Sequence, residues 1–128
     1  MAYYFSKILQ GSFDEAVARV TEELKKEGFG ILTDIDVQAT LKKKMNADFR
    51  KYRILGACNP PFAYQALLAE DKIGTMLPCN VIVQEIAERQ VEVAAIDPVA
   101  SMMAIENQKL GDIALQVQAK LRKVVESL

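Results

Sequence analysis

A chain of 128 residues, 51 % hydrophobic and 26 % charged, is sized and composed for one domain with its own core, and is too apolar to be disordered. Sixteen basic residues against seventeen acidic ones leave a net charge of −1, which argues against binding along a nucleic-acid backbone. Histidine is absent, so Ser-His-Asp and Cys-His catalysis and histidine-based zinc or iron sites are excluded.

Residues 2–9 are aromatic and β-branched enough to read as a strand, broken at Gly11. Ser12 and Glu15 then form a capping box, the serine bonding forward and the glutamate reaching back. The helix behind it carries one apolar stripe, Phe13, Ala16, Val17, Val20 and Leu24, and ends at Gly28. Residues 31–35 form a second strand, entered through Gly30. Asp36 caps a short helix with apolar positions Val37, Leu41 and Met45, left through Asn46 and Asp48. The basic run Lys42, Lys43 and Lys44, continued by Arg50, Lys51 and Arg53, reads as a solvated face.

Residues 52–58 make a third strand, with Tyr52, Ile54, Gly56 and Cys58 on one face. Asn59-Pro60-Pro61 reads as a helix start, asparagine at the cap and proline at the first helical position, for a helix reaching Ala69. Residues 71–78 are an apolar connector broken by Gly74. Residues 79–86 and 91–97 form a hairpin turning at 87–89. Asp97-Pro98 repeats the cap-plus-proline signal and opens a short helix through Ile105. The last helix has the most regular apolar stripe: Leu110, Ile113, Ala114, Val117, Leu121, Val124 and Leu128. It packs on a sheet, of this chain or of a partner.

The order β-α-β-α-β-α-β-β-α-α predicts an α+β fold: a mostly antiparallel sheet of about five strands with helices packed on it, in a single domain over 1–128. No apolar run approaches the ~20 residues of a membrane span, no secretory signal opens the chain, and two cysteines make no disulfide framework. The expectation is a reduced cytoplasmic protein without membrane or nucleic-acid partners.

Two cysteines precede asparagines, Cys58-Asn59 and Cys79-Asn80. With Val81 and Val83 opposite Ala95 and Val93, Cys79 lies across from Asp97 on a shared face. If the third and fourth strands are antiparallel, one sheet edge gathers Cys58, Asn59, Cys79, Asn80 and Asp97; a parallel crossover separates them. Helix starts at Pro60 and Pro98 would favour anions and thiolates there, while Asp97 opposes a second negative charge. The same residues also have a plain structural use, since free cysteine is often a small core residue and Asn-Pro and Asp-Pro are ordinary helix starts. The expected site is a small-molecule or anion pocket on these five residues. Thiol redox chemistry, with Cys58 as nucleophile and Cys79 as resolving thiol, and a purely structural dimer are the alternatives. No catalytic residue, metal or cofactor is assigned; two thiolates and a carboxylate make a poor zinc set.

The string Gly56-Ala57-Cys58-Asn59-Pro60-Pro61, then Ala66-Leu67 and Leu77-Pro78-Cys79-Asn80-Val81-Ile82-Val83, resembles the bacterial and archaeal family of domains of unknown function numbered 302. The segments from Phe13 to Val17 and from Gly28 to Gly30, with Asp97-Pro98, fit that family too, so the resemblance covers essentially the whole chain. It implies a compact α+β domain grouped with TATA-box-binding-protein-like folds, commonly a homodimer, and it implies no established activity. Such a fold label does not imply DNA binding. The second face of the hairpin, with Ile82, Ile86, Ala94 and Ile96, is apolar enough to require a covering helix or a twin subunit.

Overall fold

The alternating apolar positions of five segments meet in one antiparallel sheet in the computed structural model, which describes residues 2–128. The strands are β1 (Tyr4–Gln10), β2 (Gly30–Asp36), β3 (Tyr52–Cys58), β4 (Cys79–Ala87) and β5 (Gln90–Ile96), in the spatial order β1-β5-β4-β3-β2. The helices are α1 (Phe13–Lys26), α2 (Val37–Met45), α3 (Pro60–Ala69), α4 (Pro98–Ser101) and α5 (Gln108–Glu126), with a 3-10 turn at Asp71–Met76. This is the α+β arrangement that the element order predicts. Among the described residues, no helix is long and apolar enough to cross a membrane.

Side-chain alternation gives the sheet two unlike faces. Leu55, Val81, Val83, Val91, Val93 and Ala95 point to one face and are buried there. The stripes of α1 (Phe13, Ala16, Val20, Leu24) and α5 (Val117, Leu121, Val124) join them in a single core cluster. The last helix therefore covers its own sheet. Fully burying each Leu or Val contributes roughly 1.5–3 kcal/mol, so this layer supplies most of the stability. The opposite face carries Tyr4, Ile8, Ile35 and Ile86, which remain exposed, with Ile54, Ile82, Ala94 and Ile96 half-buried between them.

Side-chain caps open four of the five α-helices. Ser12 Oγ accepts the Glu15 N–H at 3.1 Å; the return bond from the Glu15 carboxylate does not form, so only the forward half of the capping box exists. Asp36 accepts the Ala39 N–H at 2.9 Å, and Asn46 ends α2 in the left-handed conformation. The three apolar positions read for α2 do not enter the core, and Met45 is 68 % exposed, because α1 and α5 already occupy the buried face. The helix expected to reach Ile105 stops at Ser101, whose Oγ bonds back to the Pro98 carbonyl at 3.2 Å. Serine competes with helix propagation in this way. The hairpin has the expected register, Val81 opposite Ala95 and Val83 opposite Val93, and turns with Arg89 at φ 58°.

Gly56 lets β2, β3 and the segment before β4 approach closely by what it lacks. It is buried in β3 between Thr33 of β2 and Asn80 of β4. A Cβ there would sit 2.1 Å from Thr33 Oγ1 and 2.7 Å from Pro78 Cγ. Gly56→Ala is expected to cost about 1–3 kcal/mol in chemical unfolding, as overpacking does. Adding Thr33→Ala should recover only part of the loss, because Pro78 remains in the way.

Candidate functional site

β3 and β4 pair antiparallel with Ala57 opposite Cys79, the condition on which the two cysteines share one end of the sheet. Above that end, α3 spans from the sheet to the 3-10 turn and packs beside α5. Between them lies a cavity of about 320 Å³. Its floor is Ala57, Cys58 and Cys79, its roof is the inner side of α3 (Phe62, Ala63, Ala66, Leu67), and its wall is α5 (Leu110, Ile113, Ala114, Val117). A ~150 Å³ apolar cavity holds benzene, so this one has room for roughly two rings. It sits at the small end of ordinary ligand pockets.

Asn59 supplies the strongest polar group in this lining, and it is 8 % exposed. It stands at the N-cap of α3 but its side chain does not cap. The reason lies in the next two residues: prolines have no N–H, so the second helical position offers nothing to a cap. The amide turns back, and Nδ2 donates to the Glu27 carbonyl at 3.1 Å, tying the start of α3 to the end of α1. Gly28, at φ 87°, lets it approach, since a Cβ there would lie 3.2 Å from Nδ2. The prolines also weaken any anion site, because they remove the first two N–H groups of α3 and leave only that of Phe62 free, the Ala63 N–H being taken by the Asn59 carbonyl at 3.0 Å. No lysine or arginine lines the cavity.

The cysteines are half-buried free thiols in the cavity floor. Burial, reinforced by the neighbouring Cys58, pushes the Cys79 thiol from its ordinary 9.0 up to about 11. Desolvation thus outweighs any help that a helix start gives a thiolate at that position.

The other two expected site residues go elsewhere. Asn80, one residue on from Cys79, faces the opposite side of the sheet and is exposed beside Tyr4, Tyr52 and Ile82 in a shallow groove. Asp97 is buried but does not line the cavity. Its Oδ1 accepts the Val99 N–H at 3.0 Å and the Ala100 N–H at 3.4 Å, and its carboxylate takes Gln118 Nε2 at 3.0 and 3.2 Å. This caps α4 and clamps α5. What the residue-by-residue reading missed is the roof. The signal was present in 60–69, Pro-Pro-Phe-Ala-Tyr-Gln-Ala-Leu-Leu-Ala, where only Gln65 and the Tyr64 hydroxyl are polar. A helix apolar on all sides is normally buried; this one keeps Tyr64 66 % and Leu68 70 % exposed.

Fold and site together define an α+β domain with an antiparallel sheet covered on one face and an apolar cavity at one sheet end. The family model described as "Domain of unknown function DUF302" matches residues 5–128, and the chain belongs to that family. Its structure is similar to the "Crystal structure of uncharacterized conserved protein DUF302 from Bacillus stearothermophilus", with a TM-score of 0.90 and 24 % identity over 98 % of each chain. That likeness establishes the fold. No curated protein matches the chain.

The Cys79 shift has a stability consequence. Below pH 9.0 the thiol is protonated in both native and unfolded chains; between there and about 11 the unfolded chain gives up its proton first. Stability should therefore fall across that window, by up to ~2–3 kcal/mol. Urea unfolding on either side of the window should show the loss, and Cys79→Ala should flatten it.

Proposed function

We propose that this domain binds a small apolar molecule in the cavity between α3, α5 and the paired ends of β3 and β4. The supporting observation is the lining: about 320 Å³ of space walled almost entirely by aliphatic and aromatic groups. A core that merely needed filling would be packed to near-crystalline density, with few voids larger than a water. The anion half of the expected ligand class is less favoured, for want of a lining cation and because two prolines leave Phe62 as the one free N–H at the start of α3. Thiol redox chemistry ranks below binding as well, because Cys79, the resolving thiol in that reading, has a pKa near 11 and gives little thiolate at neutral pH. Two free thiols in one apolar cavity floor suit a reducing, cytoplasmic setting.

Naphthalene, a rigid two-ring hydrocarbon, is the direct probe. It should bind the wild-type protein and raise its melting temperature. Ala63→Phe places a ring in the roof and should weaken that binding by about tenfold or more, the equivalent of ~1.4 kcal/mol, while the fold persists. Equal affinity in both proteins would place the naphthalene somewhere other than this cavity.

The bare sheet face favours a second, compatible property, a homodimer. Ile8, Ile82, Ile86 and Ile96 form an apolar surface that water disfavours and a twin sheet would cover. Sedimentation should show a dimer for the wild type and a folded monomer for Ile82→Glu. A wild-type monomer at high concentration would remove the dimer and leave the cavity reading intact.

A further inference from the structure

Taking the cavity as a ligand site, its strongest polar group narrows the ligand class. The orientation of the Asn59 amide is dictated chemically: Nδ2 must face the Glu27 carbonyl, 3.1 Å away, since two carbonyl oxygens cannot bond each other. Oδ1 is thus the free end, and no described protein group donates to it. It is not sealed away either, because among the described residues no fully buried side-chain N or O lacks a partner. Asn59 is nearly enclosed by protein and lines the cavity. The remaining heteroatoms of the lining side chains are the two thiols, weak as donors and as acceptors, and the Met102 thioether, a weak acceptor.

We propose that the cavity takes an uncharged molecule of about two-ring size bearing one hydrogen-bond donor, a hydroxyl or a ring N–H, which it presents to Asn59 Oδ1. A pure hydrocarbon fills the same space but strips water from Oδ1 without replacing it. An acceptor-only heterocycle sets one lone pair against another. A carboxylate does worse, burying a charge where no lysine or arginine lines the wall. The apolar walls set size and affinity, and the amide oxygen sets chemical type.

Four probes of similar shape separate these cases: 2-naphthol, naphthalene, quinoline and 2-naphthoate, titrated at neutral pH. The chain has no tryptophan, so naphthyl fluorescence is read without interference from indole. 2-Naphthol should bind about 5- to 10-fold tighter than naphthalene, the factor one net hydrogen bond provides. Quinoline should be no tighter than naphthalene, and 2-naphthoate the weakest. Asn59→Leu should abolish the preference for naphthol while retaining naphthalene. If that variant does not fold, the wild-type ranking alone decides. Equal binding of naphthol and naphthalene would overturn this assignment while leaving the cavity as a ligand site. Failure of all four to bind would overturn both.

Discussion

The antiparallel return of β4 beside β3 is the constraint on which the rest of this end of the molecule depends. It sets Cys79 across from Ala57 and so brings both cysteines to the strand ends from which α3 departs. A helix of ten residues runs ~15 Å away from the sheet, and the 3-10 turn with its flanking residues carries the chain back. That excursion leaves space beneath it. Small side chains preserve the space, since Ala57, Ala63, Ala66 and Ala114 all line it where bulkier residues would fill it.

Asn59 shows how a local rule yields to a tertiary one. Its place before two prolines is that of a helix cap, and the backbone there does begin α3. With no N–H at the second helical position, the side chain gains more by reaching the Glu27 carbonyl just past α1, 3.1 Å away. Gly28, held at a positive φ that other residues rarely adopt, keeps the path open. One amide therefore locks two helices and leaves its oxygen unused by the protein.

The distribution of apolar surface is uneven in an informative way. α1 and α5 follow the ordinary pattern, one stripe inward and the rest in water. α3 does not: its inner side borders a cavity and its outer side leaves Tyr64 and Leu68 in solvent. The second sheet face likewise holds isoleucines that no core absorbs. Apolar groups left in water contribute nothing to folding, and those on the sheet face are the surface that the proposed dimer would cover.

Much of the fold was legible because it rests on short-range chemistry. Strand and helix periods, the Ser12 and Asp36 caps, the ends at Gly28 and Asn46, and the hairpin register from its valines all depend on neighbours in the chain or directly across a strand. The candidate site was only partly legible. Cys58, Asn59 and Cys79 do meet at one cavity, while Asn80 and Asp97 do not join them. Asn80 is lost by the two-residue alternation of a strand, which turns it away from its neighbour Cys79. Asp97 is lost because a buried carboxylate must be satisfied, and the α4 amides and Gln118 satisfy it locally. By itself the sequence determined the elements, their order and the apolar faces, all consequences of side-chain period and backbone preference. Only the tertiary structure decided that α3 roofs an empty space and that burial holds the Cys79 thiol protonated, because volume and solvation belong to groups brought together from distant parts of the chain.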